Sequence, residues 1–309
     1  MKKIILTDRK LDEKLFENDV DIICTKNLKN YNHNENVVAI VGSRAMAKQC
    51  DELNFPGLKL YQLTSAGFDG VPCESFAKKG IAIANAGSVY SMPIAETVVF
   101  GMLLMAKKLH ANPNNRHIKI QRRYNTITEL GSKKVLIMSV GNIGTAIANR
   151  LQGFGVEIDG YDPFCPEKEQ VSRIWRNRDE LLKEIGQYDY IISTMPDNEH
   201  TKGFINAELF ERMKNTAVVV NVGRKAVFHE TDFYNALKKK TIGGAVLDMF
   251  EKIPNPLTNR FRRLRNVIVL PGVSAISQEV NGRLKEHITK NLLAVINGNK
   301  IENVINGVK

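Results

Sequence analysis

Short β-branched apolar runs alternate along the chain with longer amphipathic stretches, the pattern of βα units that build a parallel sheet. Residues 4–6, 22–24, 37–41, 58–63 and 81–84 are predicted strands, with room for one helix in each interval. Residues 92–109 are long, apolar and free of turn signals until Asn112-Pro113, which predicts a buried or domain-bridging helix with Pro93 in its first turn. After a polar connector, 112–134, the alternation restarts. Strands are predicted at 135–138, 157–161, 190–193, 217–221, 244–248 and 267–270, with a helix at 144–154. Two βα series joined by one helix predict an α/β chain of two domains, in keeping with 309 residues, about twice the usual domain length. No internal repeat is visible.

Composition narrows the class. Hydrophobic residues at 43% and charged residues at 25% are ordinary for a globular protein and exclude disorder, collagen and coiled coil. No apolar run is expected to reach the roughly 18 residues of a membrane span, and charge interrupts the N-terminus too early for a signal peptide, so a cytoplasmic protein is expected. Cys24, Cys50, Cys73 and Cys165 are too scattered for a disulfide framework or a zinc site, and no metal is expected.

Charge adds a question. Lys and Arg number 44 against 33 Asp and Glu, a net +11. Lys107, Lys108, Arg116, Lys119, Arg122, Arg123, Lys133 and Lys134 face the single acid Glu129, and Arg260, Arg262, Arg263 and Arg265 form a second cluster. Neither is interleaved with several aromatic residues as a single-strand binder's would be, and no zinc-finger or RNA-recognition signature is present. A solvated face or subunit contact is the plainer reading. A small anionic substrate is a further one.

The chemistry-bearing motif is Val135-Leu-Ile-Met-Ser139-Val-Gly141-Asn142-Ile143-Gly144, at the first strand-to-helix junction of the second series, with Asp162 after the next strand. It is a dinucleotide fingerprint in which Ser139 takes the first glycine position. Gly141 lets backbone approach a pyrophosphate, Gly144 lets the helix pack on the sheet, and the helix start offers N–H groups to the anion. Ser139 need only make a tight turn, which serine can do if its φ remains negative. Asp162, 18 residues beyond Gly144, has the spacing of a carboxylate that grips ribose hydroxyls, which favours NAD over NADP.

The surrounding segments resemble the D-isomer-specific 2-hydroxyacid dehydrogenases, the family of phosphoglycerate, glycerate and D-lactate dehydrogenases, from about residue 58 to 303. The resembling stretches are Ser65-Ala-Gly67-Phe-Asp69, Ile83-Ala-Asn85-Ala-Gly87 with Ile94-Ala-Glu96, Met213 through Asn221-Val-Gly-Arg224, and Gly243 through Asp248-Met-Phe-Glu251. The resemblance implies two Rossmann-like or flavodoxin-like parallel-sheet domains, the first discontinuous: a substrate domain of 1–92 with 285–309, the return made by a helix around 284–297, and an NAD-binding domain of 93–284. It implies hydride transfer between nicotinamide and C2 of a 2-hydroxy or 2-oxo acid, and a homodimer paired through 92–134. It makes Ala66 and Gly67 backbone binders of the substrate carboxylate, and Arg224 the residue that orients that carboxylate and polarises the C2 oxygen. It also carries cofactor contacts onto Met195, Pro196, Thr201, Val222, Gly223 and Asp248.

Two positions depart from the family. Where it has the acid/base histidine after a proline, this chain has Pro271-Gly272, and Ile253 stands where the partner glutamate is expected. Substitutes within the sequence are Glu251 for the carboxylate, Lys225 as a proton donor, and Ser274 as a residue that positions water. His200 and His229 fall away from the acid/base position and read as surface or helix-start residues. Two readings stay open: an NAD-dependent oxidoreductase with an altered acid/base, or a catalytically silent NAD-binding sensor or assembly protein on the same fold.

Overall fold

The computed structural model describes residues 2–16, 19–109, 126–248 and 260–308. They divide into two compact units, 1–90 with 277–309, and 91–276. The first holds β1 (Lys3–Thr7), β2 (Val20–Cys24), β3 (Val37–Gly42), β4 (Leu60–Leu63) and β5 (Ala82–Ala84), with α1 (Arg44–Asp51) and α2 (Cys73–Lys78). All five strands are parallel in the order β2-β1-β3-β4-β5, the flavodoxin-like arrangement. Alternate residues face opposite sides of a strand. Leu6, Ile40, Tyr61 and Ile83 accordingly join one apolar cluster with Phe76 of α2, and Ile5, Ala39, Leu60 and Ala82 join the other.

Helix α3 (Gly87–Ala106) starts five residues before the expected 92, so Pro93 lies inside it rather than in its first turn. The cause is Asn85, whose side-chain Oδ1 accepts from the Gly87 amide at 3.1 Å and supplies the cap. This helix is long and apolar enough to cross a membrane by length and composition. Its Ala95, Val98, Met102 and Met105 are nonetheless buried in the protein.

The second unit contains β6 (Lys134–Met138), α4 (Asn142–Gln152), β7 (Glu157–Tyr161), β8 (Arg173–Trp175), α5 (Arg178–Glu184), β9 (Tyr190–Ser193), α6 (Ala207–Arg212), β10 (Val218–Asn221), α7 (Glu230–Lys238), β11 (Gly244–Leu247) and β12 (Val267–Val269). Seven parallel strands run in the order β12-β11-β10-β9-β6-β7-β8, a doubly wound sheet whose direction of winding reverses between β6 and β9. Strand β8 escapes the sequence pattern because Arg173-Ile174-Trp175 has one aliphatic residue and no alternation. Glycines let α3 seat on this sheet: a Cβ on Gly101 would lie 2.8 Å from Val246, and one on Gly244 would lie 2.3 Å from Met105.

Helix α8 (Val280–Asn297) completes the first unit, beginning four residues earlier than the expected 284. Its Leu284, Ile288 and Leu292 close the second cluster, while Asn291 is fully buried within a polar chain. Asn291 donates to Gln62 Oε1 at 2.7 Å and to the Glu302 carbonyl at 3.1 Å, and accepts from the Glu302 amide at 2.9 Å. Replacing Asn291 with alanine strands these buried groups, so Asn291→Ala is expected to lower unfolding free energy by about 2–4 kcal/mol in urea titration. A loss under 1 kcal/mol would show that the network contributes little.

Candidate active site

Every strand of the second unit delivers its C-terminal end to one edge, and the residues singled out for cofactor binding lie along it. The loop after β6 carries Ser139, Val140 and Gly141, with Gly141 as the N-cap of α4 and no side-chain cap hydrogen bond. A Cβ built on Gly141 meets nothing within 4 Å, so the space beside this backbone is open. A Cβ on Gly144 would sit 2.3 Å from the Ser139 carbonyl, which forces glycine where α4 crosses the loop. A capless helix start beside an open glycine fits the pyrophosphate of a dinucleotide. Asn142 and Ile143 form the first turn of that helix.

Ser139 departs from expectation. Its φ is +77°, the left-handed region that glycine enters freely and serine at a cost. Three bonds hold it there: its amide donates to the Tyr161 carbonyl at 2.8 Å, and Thr194 Oγ1 donates to its carbonyl at 2.7 Å and to Met138 at 3.3 Å. The sign of φ follows from the path the loop takes between β6 and α4, which side-chain identity does not reveal.

Asp162 directly follows β7 and organises the neighbouring backbone. Oδ2 accepts from the Val140 amide, and Oδ1 from the amides of Phe164 and Cys165, each at 3.0 Å. Arg176 Nη1 donates to the Asp162 carbonyl at 3.0 Å and Nη2 pairs with Glu167 at 2.6 Å. The carboxylate thus ties the dinucleotide loop to the segment following β7. A carboxylate oxygen can accept two bonds, so Oδ2, which accepts one, retains capacity for a ribose hydroxyl.

After β9 and β10 the chain makes two linked turns. Met195 is buried, and Thr201 Oγ1 donates to the Pro196 carbonyl at 2.7 Å, closing the turn that carries Pro196. The amides of Val222 and Gly223 donate to the Ser193 carbonyl at 3.2 and 3.0 Å. A Cβ on Gly223 would lie 2.8 Å from the Met195 carbonyl, so the two turns touch through backbone. Asn221 is a residue the sequence reading passed over. Fully buried, it accepts the Gly223 amide on Oδ1 at 3.1 Å and so sets the turn that presents Arg224. Its signal was an asparagine ending an otherwise wholly apolar buried strand.

Arg224 is half-buried, with Nη1 3.3 Å from the Gly223 carbonyl. Lys225 turns elsewhere: its Nζ pairs with Glu230 Oε2 at 2.7 Å, and Arg260 Nη2 reaches Glu230 Oε1 at 3.0 Å. The hydrogen bond from Lys225, with the charges of Lys225 and Arg260, holds the Glu230 carboxyl below its ordinary range despite partial burial. Arg260 also stacks over Tyr234, 4.5 Å from the ring centroid, while Arg262, Arg263 and Arg265 are exposed. His229 stands at the start of α7 and pairs with Asp232 at 2.8 Å, and His200 is exposed.

Asp248, at the end of β11, is buried and faces the chain that follows β12. Oδ1 accepts the Val273 amide and Oδ2 the Ser274 amide, both at 3.0 Å, and the Ser274 hydroxyl also donates to Oδ2. The hydroxyl hydrogen of Ser274 is therefore committed to Asp248. Gly272, within that turn, has φ +74°, a conformation that disfavours any side chain. Glu251 and Ile253 lie outside the described residues.

In the first unit, the loop after β4 is fastened through its carbonyls: Ser65 accepts from the Ala86 amide at 3.0 Å, Ala66 from Asn85 Nδ2 at 2.8 Å, and Gly67 from Ser65 Oγ at 2.7 Å. Asp69 pairs with Arg44 at 2.9 Å. His287 of α8 lies 3.0 Å from the Asn85 carbonyl. Asn85, which caps α3 as well, is a second positioning residue not singled out from sequence.

The sequence profile of the D-isomer specific 2-hydroxyacid dehydrogenase NAD binding domain matches residues 99–274. This chain belongs to the D-isomer specific 2-hydroxyacid dehydrogenases. A glyoxylate reductase of Korarchaeum cryptofilum is 30% identical over 259 residues, covering 81% of this chain and 77% of that protein. A D-3-phosphoglycerate dehydrogenase of Methanocaldococcus jannaschii is also 30% identical over 81% of this chain, which spans 48% of that longer protein. Among solved structures, the PH0520 protein of Pyrococcus horikoshii OT3 superposes with a TM-score of 0.81 at 25% identity, covering 100% of this chain and 96% of that one. An NADPH-dependent glyoxylate/hydroxypyruvate reductase of Sinorhizobium meliloti, in complex with NADP and malonate, shares the fold with a TM-score of 0.72 at 23% identity, over 99% and 97% of the two chains. The second unit of this family member is thus its NAD(P)-binding domain.

Within that domain the strained Ser139 gives a direct test. Ser139→Gly removes the cost of a left-handed serine and is expected to raise unfolding free energy by up to about 1 kcal/mol. Thermal unfolding with and without NADH checks it, and a lowered midpoint would mean that the hydroxyl contributes more than the backbone strain costs.

Proposed function

We propose that the protein is an NAD-dependent oxidoreductase that transfers a hydride between nicotinamide and C2 of a small 2-oxo or 2-hydroxy acid. The observation carrying this reading is Arg224, delivered half-buried to the cofactor edge by a turn that Asn221 and Gly223 fix. A guanidinium presents a planar fork that matches a carboxylate and an adjacent oxygen, and its charge stabilises the negative charge building on the C2 oxygen. Bound nicotinamide cofactor would supply or accept the hydride. Loop 65–69, fastened through its carbonyls, is the element we assign to the substrate carboxylate, through the Ala66 and Gly67 amides, which have no hydrogen-bond partner among the described residues. Asp162 supports NAD over NADP, because a carboxylate at the ribose hydroxyls repels a 2′-phosphate.

Proton delivery is the altered step. Gly272 has no titratable group, and Lys225 is paired with Glu230. Water is then the donor we assign, at a cost of roughly 10²- to 10⁴-fold against a placed general acid. The relatives named for glyoxylate, hydroxypyruvate and phosphoglycerate define the first substrates to try. The exposed Met92 and Phe100 on α3 support pairing of two subunits along that helix.

The test is NADH oxidation with a panel of 2-oxo acids, including glyoxylate, hydroxypyruvate and its phosphate. Arg224→Ala is expected to lower kcat/KM by about 10²- to 10³-fold, with NADH binding intact. Arg224→Lys should recover little, since an ammonium lacks the fork. NADH binding with no turnover above the Arg224→Ala background on any acid would favour the silent sensor, a reading that Gly272 supports.

A further inference from the structure

The opposite edge of the second unit's sheet holds a cavity of about 580 Å³ that the dehydrogenase reading does not use. It lies at the strand N-termini. Lys133 precedes β6, Asp189 precedes β9, Asn215 and Thr216 precede β10, while Lys108 and Lys240 follow the C-terminal ends of α3 and α7. Strands of four or five residues separate this edge from the dinucleotide loop, about 15 Å of extended chain.

The lining is electrostatically one-sided. Its acid, Asp189, accepts from Lys214 Nζ at 2.8 Å and from the Lys134 amide at 3.0 Å. Burial pushes that carboxyl up, but the hydrogen bonds from Lys214 and Lys134, with the charges of Lys214 and Lys133, hold it below its ordinary range. Its charge is thus directed chiefly to Lys214, which lies outside the lining, and three lysines share the cavity.

Backbone conformation sets two of these lysines, and the residue before the third, apart. Lys108 has φ +54° and Lys240 φ +59°, and Ser132, immediately before Lys133, has φ +61°. Helices commonly end on a glycine in this left-handed region, where a lysine is disfavoured. Half of the six non-glycine residues with positive φ among the described residues therefore place or adjoin these lysines. Such conformations concentrate where a site makes use of them.

We propose that this cavity binds a small polyanion carrying phosphate groups, held by the ammonium groups of Lys108, Lys133 and Lys240 and by polar side chains of Asn215 and Thr216. Lysine is a compact point charge suited to phosphate, and the volume matches a metabolite-sized ligand. The proposal does not depend on Arg224 or on turnover.

Tripolyphosphate is the probe, titrated calorimetrically into the intact protein at constant ionic strength. One saturable site per chain is expected, weakened at least tenfold in the Lys133→Gln/Lys240→Gln variant, with NADH affinity unchanged there. No saturable binding, equal affinity in the variant, or displacement of tripolyphosphate by NADH would each overturn it, the last by placing the anion at the dinucleotide loop. If the variant does not fold, acetylation of native protein read by mass spectrometry gives the answer. Tripolyphosphate should protect Lys133 and Lys240, and equal labelling with and without it would overturn the proposal.

Discussion

A parallel sheet sends the C-terminal end of every strand to one edge, and that constraint makes the candidate site possible. In the second unit the strand order reverses between β6 and β9, so the connections diverge there and leave room above the loop after β6. Residues far apart in sequence, from Ser139 through Gly223 to Asp248, are loop neighbours because the ladder is in register: Met138 pairs with Ser193, Ser193 with Asn221, and Asn221 with Leu247. The chemistry is carried by turns, while the buried strands Val218–Asn221 and Gly244–Leu247 fix where those turns begin.

The turns are shaped by a few buried polar groups. Asn221 ends β10 and Asp248 directly follows the adjacent β11, and each uses its side chain to bind backbone of its own or a following loop. Asp162 does the same for the segment after β7. In each case a side chain supplies acceptors for amides that a tight turn leaves without ladder partners, where an unmet group would cost about 1–3 kcal/mol. The Gly272 turn shows how such scaffolding bears on catalysis. Asp248 holds Val273 and Ser274 by their amides, and at φ +74° Gly272 occupies a conformation that would strain a histidine.

Much of this was legible in the sequence. Periodicity places most strands to within two residues, because fully buried parallel strands are continuous apolar runs. Gly141 and Gly144 are readable because each answers a distinct steric demand, one open and one crowded. The failures have physical causes. Helix α3 begins early because Asn85, a residue that reads as loop, caps it through its side chain. Ser139 takes the opposite sign of φ because the loop path and three hydrogen bonds outweigh serine's preference. The partners of Asp248, 25 and 26 residues away, and the pairing of Lys225 with Glu230 belong to tertiary structure, which local patterning does not encode.

The central claim is that Arg224 directs a hydride to C2 without a histidine as proton donor. Reduction of a 2-oxo acid by NADH deuterated at C4, followed by NMR of the product, tests it most directly. The account predicts a 2-hydroxy acid bearing deuterium at C2, formed by the native protein and about 10²- to 10³-fold more slowly by Arg224→Ala, with no inflection in rate near the ordinary histidine pKa of about 6.5. Deuterium at C2 that persists undiminished in Arg224→Ala, or a rate that titrates as an imidazole does, would contradict it.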